Sequence, residues 1–190
     1  VAQQVFQLSS DKMTLDVAIK GQSASPTTLS CEGNVVFREL LPPGAQQQPM
    51  EISGTQLTVD QLDSTPFITL KGGKAAGIAN GGPDLAQMSG RGVTMHVNTL
   101  ELDTGENRMW SDGAGTATLL VTRDLEGQPS TTPFSLDLSW QGGLQFDGAT
   151  MHFDRDVVAA GADDRLQCDQ LRAKLNRKIV FGEAIDQRAI

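Results

Sequence analysis

Residues 52–59 read Ile-Ser-Gly-Thr-Gln-Leu-Thr-Val, and this octet decides the fold class. An apolar residue is followed two positions on by Gly, and two more apolar residues stand at the sixth and eighth places. Four other segments keep the form with small or apolar replacements: Leu70-Gly72-Ala75-Gly77, Met88-Gly90-Val93-Met95, Phe146-Gly148-Met151-Phe153 and Leu166-Cys168-Leu171-Ala173. The first three begin 18 residues apart and the last two begin 20 apart. Recurrence at a short, nearly fixed interval is the mark of stacked β-rungs.

The alternation changes parity inside each copy. A straight strand would put Ile52 and Gly54 on one face and Leu57 and Val59 on the other. A bend or bulge between the pairs returns both to one interior, and Gly relaxes the backbone for it. Each rung is then two short strands meeting at a corner, and stacking buries their inward side chains as a stripe. The expected fold is an all-β, solenoid-like stack of bent antiparallel strands, one domain over residues 1–190, clearest over 50–182 and weaker over 1–50.

Outside the repeats, Met13, Leu15, Val17 and Ile19 alternate with polar residues, predicting a half-buried strand. Gly21 to Thr28 reads as a turn, Leu29 to Leu41 as extended chain, and Pro42 to Pro49 as an exposed loop. Gly81 to Asp84 marks a further turn. Leu100 and Leu102 lead into Thr104-Gly105-Glu106-Asn107, and Met109-Trp110 lead out, which predicts a hairpin-like reversal. Ala114 to Val121 alternates, Arg123 to Pro133 reads as a loop, and Leu136, Leu138 and Trp140 open another strand. Cys168, Leu171, Leu175 and Ile179 would also fit one helical face with complementary end charges. The shared repeat spacing favours a strand there.

Composition narrows the function. Twenty-three acidic against 15 basic residues give a formal charge of −8, which argues against nucleic-acid binding, where a basic surface must displace counterions. No run of about 18 apolar residues is present, so no helical membrane span is expected. The chain begins at Val1, which reads as a processed or excised segment, and a removed signal peptide is compatible with that. Cys31 and Cys168 are too few for a zinc site or a disulfide framework. Both alternate inward, as two buried thiols or as one mutual disulfide.

No catalytic constellation emerges. The two histidines, His96 and His152, lack a nucleophile elbow and occupy outward positions, where ordinary strand histidines are expected. A metal site there would need Asp154 or Asp103 brought in by stacking, and no metal is expected. Paired carboxylates for sugar cleavage do not stand out, because Asp63, Asp84, Asp103, Glu106, Asp163 and Asp164 lie next to turns. The Gly-Gly pairs lack a following Lys-Ser or Lys-Thr, and no nucleotide, haem or flavin cofactor is expected. What remains is the apolar lining: Leu57, Val59, Val93, Met95, Met151, Phe153 and Leu171. Two readings stand, a dry core or two walls held slightly apart around acyl chains, with flexible Met95 and Met151 suited to a variable lipid.

The form apolar-x-small-x-x-apolar-x-apolar, often followed by Asp or Asn, resembles the OstA-like repeat of lipopolysaccharide-transport proteins. Ile52 to Asp60 and Phe146 to Asp154 are the nearest copies, and Met88 through Leu102, Asn107 and Met109 to Gly113 resembles the strand, turn and returning strand of that family. The resemblance implies a β-jellyroll or β-taco of V-shaped strands carrying lipid A acyl chains, in the periplasm, with copies joined end to end. The function expected is non-enzymatic lipid binding or transfer in the cell envelope. The alternatives are an assembly module docking other envelope proteins through open strand edges and a carbohydrate-active β-solenoid enzyme. The long loops at 42–49 and 123–133 depart from the family pattern.

Overall fold

The computed structural model describes residues 5–42, 48–73, 85–90, 92–123, 129–161, 164–174, 178 and 180, and among these the chain forms strands and no helix. In order they are β1 (Val5–Ser9), β2 (Lys12–Lys20), β3 (Ser23–Leu40), β4 (Glu51–Asp60), β5 (Phe67–Lys71), β6 (Ala86–Gly90) and β7 (Val93–Val97). There follow β8 (Thr99–Asp103), β9 (Arg108–Asp112), β10 (Gly115–Arg123), β11 (Pro129–Trp140), β12 (Gly143–Phe146), β13 (Thr150–Ala160) and β14 (Arg165–Lys174). The expected all-β class holds; of the helical alternative, Cys168 and Leu171 are in strand, and Leu175 and Ile179 lie outside the described residues.

Ten strands close into an antiparallel barrel in the order β4-β5-β8-β9-β12-β13-β11-β10-β7-β6, with β6 returning to β4. Two bent strands make the closure possible. One edge of β4 gives residues 51–53 to β6 and 56–60 to β5. One edge of β13 likewise gives 151–154 to β12 and 158–160 to β11. The barrel therefore has a first wall, β5-β8-β9-β12, and a second wall, β6-β7-β10-β11, tied at each end by a strand that belongs to both.

The corners between the walls form a column of backbone hydrogen bonds. Gly72 N–H donates to Asn98 C=O at 2.8 Å, Gly113 to Gly142 at 2.9 Å, Gln141 to Arg155 at 2.8 Å and Gly142 to Asp154 at 2.7 Å. Asp11 N–H donating to Gly33 C=O at 2.9 Å repeats the device outside the barrel. Gly33 and Asn34 take left-handed φ of 71° and 43°, and Arg155 and Asp156 take 63° and 50°. At those two places the β3–β4 and β13–β14 registers slip, and the bent strand turns its next segment back to the same interior.

The repeat turns out to have two structural meanings. In β4 and β14 it is one bent strand, as expected. Met88-Gly90-Val93-Met95 is instead a hairpin in which Met88 faces Met95, and Phe146-Gly148-Met151-Phe153 is another in which Phe146 faces Met151. Cross-strand pairing returns apolar residues to one face as well as a bend does. The copy at Leu70-Gly72 reaches its corner, and Ala75 and Gly77 lie outside the described residues. Gly54 has an ordinary backbone; it is Gly because a Cβ there would stand 2.6 Å from the Lys71 carbonyl oxygen.

Three boundaries also change. The turn expected over Gly21 to Thr28 is confined to Gly21 and Gln22, because β3 pairs with β2 from Ser23 onward. Residues 129–133, expected to loop out, are strand, with Pro129 opposite Arg123. The turns expected at 104–107 and the hairpin around them are present, with Leu102 opposite Met109. The loop expected at 42–49 and the turn at 81–84 lie wholly or mostly outside the described residues.

Candidate functional site

The interior is built from side-chain rows that run across the strands. In the first wall one row passes Cys31, Leu57, Leu70 and Leu100, and continues through Ser111, Leu144, Phe153 and Leu171. A parallel row passes Leu29, Val59, Ile68, Leu102, Met109, Phe146, Met151 and Ala173. The second wall answers with Leu8, Phe37, Ile52, Met88, Met95, Ala117, Leu138, Ala159 and Leu166. Directly opposed apolar pairs of this kind are the unit of sheet stability.

Inside the barrel these rows meet. Trp140 of the second wall packs on Phe153, ring centroids 5.1 Å apart and 56° tilted, and both rings are at most 2% exposed. Ser111 Oγ and Trp140 Nε1 are buried here with no hydrogen-bond partner among the described residues. Of the seven lining residues read from the sequence, Leu57, Met95 and Phe153 belong to this core. Val59, Met151 and Leu171 are half-buried against it. Val93 is also half-buried, opposite Gly90 and Leu119. The structure thus brings six of the seven into one apolar body, with Val93 in a neighbouring tier.

Beyond β4 the rows continue but the closure does not. β3 lies along the outer edge of β4, and β1 and β2 lie along β3, outside the ring. Met13 stands opposite Cys31 and Leu15 opposite Leu29, so both extend the first-wall rows by one strand. Nothing among the described residues covers them: Met13, Leu15, Val17 and Ile19 are 51%, 53%, 46% and 76% exposed. This corrects the half-buried strand expected at 13–19. Its alternation is real, but its apolar face lies beyond the strand that seals the barrel. On the other arm Phe6 stacks on Phe37 at 4.8 Å and is 41% exposed.

Among the described residues the result is an apolar trough open at β1 and β2, which runs through half-buried Leu29 and Phe37 on β3 into the sealed core. At its second-wall side Glu39, opposite Phe6, is buried and accepts the Met50 N–H at 3.1 Å. The sequence contained the alternation of β2. It contained no sign of which apolar stripe would be left open, because that depends on where β6 meets β4.

Both cysteines are free thiols. Cys31 is buried on β3, whereas Cys168 on β14 is half-buried, so the expectation of two buried thiols holds for one. His96 and His152 point away from the interior, each half-buried on an outer face. At the turn after β12, Asp147 Oδ1 accepts the N–H groups of Ala149 at 2.9 Å and Thr150 at 2.7 Å. Those two bonds, with a smaller contribution from nearby His152, lower its pKa below the ordinary 3.8.

Among the described residues no helix is long and apolar enough to cross a membrane. No family model matches this chain, and no curated protein or solved structure matches it significantly.

Proposed function

We propose that this chain is a non-enzymatic, acyl-chain-binding module of the cell envelope, whose ligand lies in the trough on β1–β3 rather than in the barrel. The observation that carries this reading is the run-out of the interior rows: Met13 and Leu15 extend the rows of Cys31 and Leu29 into solvent. An exposed apolar patch contiguous with a core calls for an apolar occupant. Burying about eight methylenes there would contribute about 6 kcal/mol before ordering costs. Lipid A or another acylated lipid supplies such chains. In this reading the bent strands tying two walls are a jellyroll- or taco-like stack resembling the OstA-like repeat, and the module works in the periplasm.

The test is native mass spectrometry of the full chain with lipid A and with a phospholipid, beside displacement of a fluorescent fatty acid. Retention of an acylated ligand is expected. Leu15→Asp and Ile19→Asp should abolish it, and Thr14→Asp on the outer face of β2 should not. No retention by the unmodified chain, or retention indifferent to the trough variants, rejects the proposal.

A second reading, an assembly module, has its own observation. Among the described residues β2 pairs only with β3, and β14 only with β13, so each presents an unpaired edge. Such edges template pairing with another chain. Concentration-dependent oligomers that ignore added lipid and persist in Leu15→Asp would favour it over lipid binding.

A further inference from the structure

The outer face of the first wall differs in chemistry from every apolar surface described so far. The chain has two tryptophans. Trp140 fills the interior, while Trp110 lies on the outer side of β9, half-buried and braced by Phe67 at 5.7 Å and 55°. In register beside Trp110 stand Glu101 on β8 and Gln145 on β12, then His152 on β13 and Arg172 on β14. At about 4.8 Å per strand this polar row with one aromatic is about 19 Å wide.

At one end of the row is an open recess of about 440 Å³, within the usual size of small-ligand sites. Trp110 supplies the apolar wall and Arg108, Gln145, Asp147 and His152 the polar wall, while Met109 and Phe146, members of the inward row, border it. Two of the polar groups have partners within the chain. Asp147 is fixed through Oδ1 by two backbone N–H groups, which leaves Oδ2 to accept from a ligand. Arg108 is paired with Glu106 at 2.9 Å. The recess's charges, one guanidinium and one carboxylate, oppose each other, which disfavours a strongly anionic or cationic ligand. An apolar ligand would strand the four polar side chains. A ring with an apolar C–H face and a rim of hydroxyls satisfies both walls.

We propose that this outer face, centred on Trp110, is a saccharide-binding surface. The sugar ring lies against the indole, its hydroxyls meet Asp147, Gln145 and His152, and further units run along the row toward Arg172. This site is separate from the trough, since Trp110, Gln145 and His152 lie on the outward side of β9, β12 and β13, strands remote from β1–β3.

Titration of the full chain with cellohexaose, chitohexaose and maltohexaose, followed by tryptophan emission and by calorimetry, tests this. At least one should give a saturable response with 1:1 stoichiometry. Trp110→Ala should weaken it tenfold or more, and Gln145→Ala and His152→Ala, which alter surface groups, several-fold with an unchanged melting temperature. Leu15→Asp should leave it intact, which separates this site from the trough. No saturable binding to any of the three, or binding unchanged in both Gln145→Ala and Trp110→Ala, overturns the proposal.

Discussion

Leu70→Ala and Leu15→Ala remove the same atoms from the same sheet face, and the closed ring predicts very different costs. Leu70 is 1% exposed and stands between Leu57 and Leu100 inside the barrel. Truncation loses three buried carbons at about 0.8 kcal/mol each, or about 2.4 kcal/mol. Strands hydrogen-bonded on both sides limit collapse into the void, which raises the total to about 3–4 kcal/mol. At about 2–4 °C per kcal/mol for a chain of this length, the melting temperature should fall by about 6–16 °C. Leu15, 53% exposed on β2 outside the ring, should cost about 1 kcal/mol or less. Urea unfolding followed by tryptophan emission, with thermal circular dichroism, measures both. Equal costs, or a Leu70→Ala change under about 1 kcal/mol, would refute the division into sealed barrel and open trough.

Gly54→Ala should destabilise by about 1–3 kcal/mol, because its Cβ would crowd the Lys71 carbonyl at 2.6 Å and Leu70 Cδ1 at 3.0 Å; a thermal midpoint within 1 °C of the parent would contradict that close approach. Asp147 has a lowered pKa in the folded chain, so its stabilisation is present above 3.8 and is lost as pH falls through the folded value. Asp147→Asn should therefore melt below the parent at about pH 6, with the gap narrowing as pH falls below 3.8, and a gap independent of pH would count against the turn's two N–H bonds as its source. In the native chain Cys168 should react with an aromatic disulfide reagent while Cys31, 1% exposed, reacts only on unfolding. Two thiols modified at one rate would show that β3 is not packed against the core as described.

Much of the architecture is legible in Ile52 to Val59. The parity break between Gly54 and Leu57 falls where β4 passes its edge from β6 to β5, so local alternation carried the bend. The same pattern at Met88 and Phe146 proved to be a hairpin, since a turn and a bend both restore facing and the octet does not distinguish them. The corners at Asn98, Gly113 and Arg155-Asp156 went unread, because single Asn, Gly or Asp residues are common to many turns. Lining residues such as Leu57, Met95 and Phe153 were legible as inward positions, whereas the outer row around Trp110 was not, since it is completed only where Trp110 on β9 pairs with Gln145 on β12, 35 residues on.

The sequence by itself determined strand periodicity, most of the inward set and the acidic net charge, because these depend on neighbours within a few residues and on composition. Only the tertiary structure decided that β6 closes on β4, and with it which apolar rows are sealed and which are open. Closure is a pairing between residues 51–53 and 87–89, set by the twist and length of whole walls. Met13 and Leu15 carry the same alternation as Leu57 and Val59. They differ only in lying on the far side of that seam.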